Sequence, residues 1–344
     1  MRHINIPIFI PHLGCPNQCI FCNQKYISGT VEFDEKTVYE TINDVLRTVN
    51  QDDICEIAFF GGSFTGIDRS LMLRLLNIAQ EYVDNGKVIG IRMSTRPDYI
   101  SQEIIDILKK YSITTVELGI QSMNDSVLSY LKRGHTVNDT INATKLLKRN
   151  GISFVGQMMI GLPTATKEDE LHCAKQICKL GASGTRIYPT LVFKNTELEL
   201  LLKKGDYEPL SLEEAVDRSS LVLKEFVNNK VDCIRIGLCD SENLHSEDTF
   251  VAGPNFPSIG EMVKSRMLYM GICDRLTDNL DKYLNKHLII NCAKGNTSQI
   301  IGHKRHNIIE LTKKYGFKAI KVIENISLKY TDIKLEIKEE NSCD

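Results

Sequence analysis

The chain has no apolar run long enough to cross a bilayer. Its opening stretch from Ile4 to Leu13 falls well short of the roughly 20 residues a span requires, and Pro7 and Pro11 interrupt it. It also lacks a surplus of charge of either sign. The formal net charge of -2 supplies no overall attraction for nucleic acid or membrane, so a polyanion site has to be a local patch. No apolar leader core precedes Leu13-Gly14-Cys15, which argues against a lipoprotein cleavage site there. The mature chain is therefore expected to start near Met1 and to work in the cytoplasm. Eleven cysteines without a secretory leader do not read as a disulfide framework, because a chain of 344 residues can bury its own core and cytosolic thiols stay reduced. Low-complexity tracts and internal repeats are missing as well, apart from an alternation of strand and helix patterns.

That alternation sets the fold class. Short β-branched and aromatic runs at Ile4–Ile10, Cys55–Phe60, Val88–Ser94, Thr115–Ile120, Ser153–Ile160 and Thr185–Pro189 read as strands. Helical periodicity fills Thr37–Val49, Ser70–Val83, Ser101–Lys110, Val137–Asn150 and Lys167–Leu180 between them, several started by Asp, Ser or Thr and ended near Gly or Asn. Six such units predict an α/β fold, a partial (β/α)6 TIM-type barrel over residues 1–190. Residues 191–284 read as a capping extension, with a helix at Leu212–Asn228 and a strand at Val231–Gly237. Residues 285–338 read as a small α+β module with strands at His287–Ala293, Ala319–Ile323 and Ser327–Ile337, and two short helices flanking Gly302–Arg305.

One tight cysteine cluster stands out. In Gly14-Cys15-Pro16-Asn17-Gln18-Cys19-Ile20-Phe21-Cys22 the thiols are separated by three and then two residues, and no second pair follows as in a zinc ribbon. Three local ligands, Cys15, Cys19 and Cys22, without an evident fourth suggest a cubane cluster with one iron left open, since electron-transfer clusters use four thiolates. The other cysteines, Cys55, Cys173, Cys178, Cys233, Cys239, Cys273, Cys292 and Cys343, are scattered and read as ordinary free thiols.

This spacing, with the aromatic Phe21 just before the last Cys, resembles the hallmark of the radical S-adenosylmethionine (SAM) superfamily. The resemblance implies a [4Fe-4S] cluster whose open iron chelates the methionyl moiety of SAM, and reductive cleavage to a 5′-deoxyadenosyl radical. It also implies an external electron donor such as flavodoxin or ferredoxin. Gly61-Gly62 follows the second strand, where glycine lets the backbone approach a ligand, and in the superfamily this element contacts the methionyl amino group. Polar residues at later strand ends would line the same pocket: Ser94 and Arg96 after strand three, Glu117 on strand four, Gln157 on strand five and Arg186 on strand six. Arg96 is a candidate partner for the cofactor carboxylate or a substrate anion, Glu117 for ribose hydroxyls, and Gln157 for the adenosine border. Each alone reads equally well as a core salt bridge or hydrogen bond. His12 and His135 are assigned no catalytic role.

Ser94–Tyr99, Val116–Ser122 with Arg133-Gly134-His135, and Ile160-Gly161-Leu162-Pro163 resemble the radical domain of the Elongator catalytic-subunit family, which modifies wobble uridine in tRNA. The likeness continues through Ile187–Thr190 and Asn195–Leu198 to Gly205-Asp206-Tyr207. No segment after Leu238 offers the Gly-rich pyrophosphate loop of that family's acetyltransferase domain. In the oxygen-independent coproporphyrinogen oxidase branch the cluster motif continues to a further Cys, where this chain has Asn23-Gln24. The order strand, helix, Gly302-His303-Lys304-Arg305, helix, strand is similar to a KH-type module whose GxxG loop clamps nucleic-acid backbone, with Arg305 in place of the second Gly. Between Lys286 and Lys321 the only acid is Glu310, against Lys294, Lys304, Arg305, Lys313, Lys314, Lys318 and Lys321. RNA, tRNA in particular, is the expected substrate. The alternatives are a radical enzyme acting on a small molecule or peptide, and a non-enzymatic iron–sulfur protein that senses or binds nucleic acid.

Overall fold

The computed structural model describes every residue except 1, 11–12, 16–18, 24–32, 51, 239–245, 247, 278–279, 330 and 340–344. His12, Cys239 and Cys343 therefore lie outside the described residues. The chain divides into two compact units, Met1–Ala215 with Glu225–Asn255, and Val216–Lys224 with Phe256–Asp344.

The first unit is built on β1 (His3–Ile10), β2 (Ile54–Gly61), β3 (Gly90–Thr95), β4 (Ile113–Gln121), β5 (Ser153–Ile160) and β6 (Gly184–Pro189). β7 (Val192–Phe193) is a two-residue strand that pairs elsewhere, and β8 (Asp232–Ile236) closes the series. The sheet order is β1-β2-β3-β4-β5-β6-β8, every pair parallel. The two outer strands do not pair with each other, so the sheet is a curled half barrel rather than a closed one. The six strands expected from the sequence all fall in it in chain order. The Val231–Gly237 run, assigned to a capping extension, supplies its seventh strand.

Local chemistry explains the helices that return the chain between strands. Thr136 and Thr166 each form a reciprocal capping box with the Asp three residues on, while Asp68 and Ser101 accept a hydrogen bond from a first-turn amide. Lys167–Leu180 ends at Gly181 in the left-handed conformation (φ 87°). Their inward faces are buried, such as Met72, Leu75, Leu76 and Ala79 of Arg69–Asp84, and so are the strand residues Ile57, Phe59, Ile91 and Met93. Two helices were not anticipated: Asp125–Tyr130 and Glu197–Lys204. They have six and eight residues, too few turns for a periodic signal.

In the second unit β10 (His287–Cys292), β11 (Ala319–Glu324) and β12 (Ile333–Lys338) form a sheet of order β11-β10-β12; β9 (Phe250–Ala252) belongs to the first unit with β7. β10 is parallel to β11 and antiparallel to β12. Helices Thr297–Ile301 and His306–Tyr315 flank the Gly302–Arg305 loop, as the sequence suggested. β12 begins at Ile333 rather than Ser327, because Asn325 Oδ1 and Asp332 Oδ2 accept hydrogen bonds from the Ser327 and Lys329 amides and fold that stretch into turns.

Candidate active site

The carboxyl ends of β1 to β6 gather at one edge of the half barrel, and a cavity of about 300 Å³ opens there. It is lined by Cys15, Phe21 and Cys22 from the N-terminal loop, by Gly61 and Gly62 after β2, and by Ser94 and Arg96 after β3. Glu117 of β4, Gln157 of β5 and Arg186 of β6 complete a ring of sequence-predicted residues. Cys19 is buried, 5 % exposed, and lines an adjoining groove together with Cys22. Thus all the candidate cofactor residues named from the sequence except Cys19 border one space, although they span some 170 positions of chain.

The glycines are sterically obligatory. A Cβ on Gly61, whose φ is +111°, would stand 2.7 Å from the Ile10 carbonyl oxygen, and one on Gly62 would stand 2.0 Å from that of Leu13. The cysteine loop therefore rests directly on the backbone of the β2 turn, and the Gly62 amide donates to the Ile10 carbonyl at 2.9 Å. On the other side Ile20 N donates to Leu131 O at 3.2 Å and Leu198 N to Ile20 O at 2.8 Å. Two helices missing from the sequence reading thus clamp the segment that carries Cys19 and Cys22.

Charges inside the barrel form a chain of pairs. Glu117 is fully buried and accepts from Arg186 Nε at 2.8 Å, Arg186 Nη2 at 3.1 Å and Gln157 Nε2 at 3.1 Å. Arg92 Nη2 lies 3.2 Å from the same carboxylate, and its Nη1 lies 3.2 Å from Glu56. Two hydrogen bonds to Glu117 hold Arg186 at the cavity, its guanidinium 5.8 Å above the Phe60 ring. Arg96 is clamped by Asp98 through two hydrogen bonds of 2.9 and 2.7 Å.

Arg133 and Gln121 also line the cavity, though neither was assigned a site role from the sequence. Arg133 follows the unanticipated Asp125–Tyr130 helix, donates from Nη2 to Gly119 O at 2.8 Å, and brings Nη1 to 3.3 Å from Cys19 Sγ. Gln121 sits at φ 64° at the end of β4, a left-handed conformation uncommon for a residue with a side chain. The backbone strain was invisible in the sequence; a basic residue just before Gly134-His135 was the one available signal. His135 is buried beside these cations, and burial, then Arg133 and Arg96, push its imidazole down to about 3.

The residues fit a cluster and a zwitterionic cofactor. Arg96 Nη1, Arg133 Nε and Gln121 Oε1 are buried on the cavity wall without a hydrogen-bond partner among the described residues. Such donors and acceptor require a polar ligand or water. Three thiols on one loop, with a guanidinium beside Cys19, are the donor set of a [4Fe-4S] cluster with one iron open. No three Cys, His, Asp or Glu side chains among the described residues already stand close enough together to hold a single metal ion. The remaining described cysteines form no disulfide and are dispersed, and burial raises the thiols of Cys55, Cys173, Cys178 and Cys292, as inert thiols require.

Residues 9–177 match the model of the radical SAM superfamily, and residues 182–269 match that of the radical SAM C-terminal domain. An uncharacterized protein of Methanocaldococcus jannaschii is 31% identical over 220 residues, 60% of this chain and 66% of its own length. The tRNA uridine(34) acetyltransferase of the same organism is 37% identical over 134 residues, 38% of this chain and 25% of that protein. The chain thus spans between a quarter and two thirds of the length of these curated relatives. Among solved structures, Elp3 of Methanocaldococcus infernus superposes with a TM-score of 0.61 at 24% identity, over 78% of this chain and 63% of that one, a likeness of fold.

Proposed function

Because the chain belongs to the radical SAM superfamily, we propose that it holds a [4Fe-4S] cluster on Cys15, Cys19 and Cys22 and uses SAM to modify RNA, with tRNA the favoured substrate. The observation that carries this reading is the single cavity bordered by two of those cysteines, the Gly61-Gly62 turn and the polar ends of β3 to β6. When bound, the cluster supplies the one electron that cleaves SAM to methionine and a 5′-deoxyadenosyl radical.

The chain's own residues account for binding and protection. The Gly61-Gly62 backbone leaves room for the methionyl group against the cysteine loop. Arg96 Nη1 and Arg133 Nε, both buried and without partners among the described residues, offer cations to its carboxylate. Glu117, Gln157 and Arg186 form the polar wall for the nucleoside side. Phe9, Phe60, Leu191, Phe193 and Leu238 belong to the apolar part of the lining, which would shield a radical from water.

The RNA part of the proposal is supported by the tRNA uridine(34) acetyltransferase among the relatives and by the basic Gly302–Arg305 loop. His303, Lys304 and Arg305 are exposed, and Lys304 and Arg305 both take positive φ values of 48° and 64°. Asn307, buried behind them, anchors the loop by donating to Ser265 Oγ, Ile300 O and Gln299 O at 3.0, 3.1 and 3.2 Å. In the KH-like reading this loop meets RNA phosphates. The test compares nucleosides from tRNA of cells with and without the gene, alongside cells carrying Cys19→Ala. One modified nucleoside should disappear in both mutant strains; an unchanged profile together with no RNA binding by the pure protein would refute the RNA assignment and favour a small-molecule substrate.

A further inference from the structure

Two of the three cysteine sulfurs face buried donor atoms to which the function above gives no task. Ser63 follows the Gly61-Gly62 turn, is 2 % exposed, and places its Oγ 3.5 Å from Cys15 Sγ. Arg133 is 9 % exposed and brings Nη1 to 3.3 Å from Cys19 Sγ.

Backbone packing fixes both donors. A Cβ on Gly14, whose φ is +74°, would stand 2.2 Å from the Ser63 carbonyl oxygen, so the residue before Cys15 lies against the residue that carries the hydroxyl. On the other side Arg133 Nη2 donates to Gly119 O at 2.8 Å, and a Cβ on Gly119 would stand 2.5 Å from that same nitrogen. Glycine there makes the room in which the guanidinium lies against β4. Leu131, two residues before Arg133, accepts at its carbonyl from the amide of Ile20, the residue after Cys19. Donor and sulfur are thus tied through one short stretch of backbone.

The charges near Cys19 are not equivalent. Arg96 also stands within electrostatic reach of this thiol, but Asp98 neutralises it through two hydrogen bonds. No carboxylate pairs with Arg133 among the described residues, so its charge stays uncompensated beside the sulfur. A thiolate that accepts a hydrogen bond gives less electron density to iron, and a nearby cation favours the cluster with one more negative charge. Both effects raise a reduction potential.

We infer that Ser63 and Arg133 are positioning residues that set the reduction potential of the cluster, Ser63 by donating to the Cys15 thiolate and Arg133 by donating to the Cys19 thiolate with an uncompensated charge. The inference rests on the cluster proposed above. One electron takes that cluster from its 2+ to its 1+ state, and no bond forms or breaks in the step.

The experiment uses the full chain, reconstituted anaerobically and without SAM, and reads the reduced cluster by electron paramagnetic resonance at potentials poised with dithionite and mediator dyes. At the parent's midpoint, Arg133→Gln should lower the ratio of reduced to oxidised cluster about tenfold, or about 59 mV for a one-electron couple, as loss of a charge-assisted donor does. Ser63→Ala should lower it about threefold, the effect of one neutral donor. Arg133→Lys, which keeps the charge, should fall between Arg133→Gln and the parent. Lys132→Gln removes an exposed cation one residue away that is already paired with Glu197, and should leave the ratio at the parent's. A midpoint does not depend on how much cluster a variant takes up, so partial loading leaves the reading intact. A purely structural role predicts the opposite sign, since a loosened loop admits water, which stabilises the more highly charged reduced cluster and raises the potential. A ratio equal to the parent's in Ser63→Ala or in Arg133→Gln would overturn the assignment of that residue. A raised potential in either, or a drop in Lys132→Gln as large as that in Arg133→Gln, would overturn the inference. A parent that takes up no cluster would be a different result, refuting the proposed function itself.

Discussion

Glu117→Gln is the substitution whose cost the structure specifies most closely. The carboxylate is fully buried and faces four donors, three at 3.1 Å or less from Arg186 and Gln157 and one at 3.2 Å from Arg92. Glutamine keeps the shape but removes the charge and turns an NH2 group toward guanidinium N–H groups, leaving donors against donors. Arg92 retains Glu56, while Arg186 loses the carboxylate to which both its Nε and Nη2 donate. Removing one partner of a buried pair costs about 3–5 kcal/mol, because a charge loses its counter-ion in a low dielectric. For a unit of this size that is a fall in Tm on the order of 10 °C. Arg186→Gln should cost less, since Glu117 would keep Arg92. The double variant should cost less than the two singles added, with a coupling of about 1–3 kcal/mol. Urea unfolding followed by circular dichroism measures all three. A Glu117→Gln variant within 1 kcal/mol of the parent, or strictly additive singles, would refute the network as the element that holds Arg186 in place.

Acid should destabilise the protein in part through His135, whose folded pKa of about 3 lies below its ordinary 6.5. Its contribution is fully present above pH 6.5 and is lost as pH falls toward 3, because only the unfolded chain takes up the proton; His135→Asn should shrink the stability difference between pH 7 and pH 4 by about 3 kcal/mol in denaturant titrations. Gly62→Ala should lower both Tm and iron content, since its Cβ would meet the Leu13 carbonyl, whereas Gly271→Ala, with only the flexible Arg275 Nη1 at 3.3 Å, should leave both near the parent values. Arg305→Gly should stabilise the second unit by about 0.5–1 kcal/mol by relieving its left-handed backbone, as read by thermal unfolding; a loss of stability would show that the side chain contributes more than the strain costs.

The elements that were legible in advance are those whose signal is local. Ser153–Ile160 and Lys167–Leu180 have the same bounds in sequence pattern and structure, because alternation, capping Thr166 and terminal Gly181 all act within a few residues. The spacing of Cys15, Cys19 and Cys22 was equally plain, and it directed attention to the strand ends that border the cavity. Pairing of the Asp232–Ile236 strand with β6 depends on contacts some 50 residues apart, so its place in the barrel sheet was decided by packing. Arg133 and Gln121 reach the site through a six-residue helix and a left-handed strand end, neither of which leaves a periodic trace. The groove behind Cys19 exists only because the Glu197–Lys204 helix folds back onto a loop 178 residues earlier, with Leu198 N donating to Ile20 O. Composition and short-range pattern thus set the chemistry and the strand-helix rhythm, while the convergence of distant side chains, which depends on long-range hydrogen bonds and burial, was decided by the tertiary structure alone.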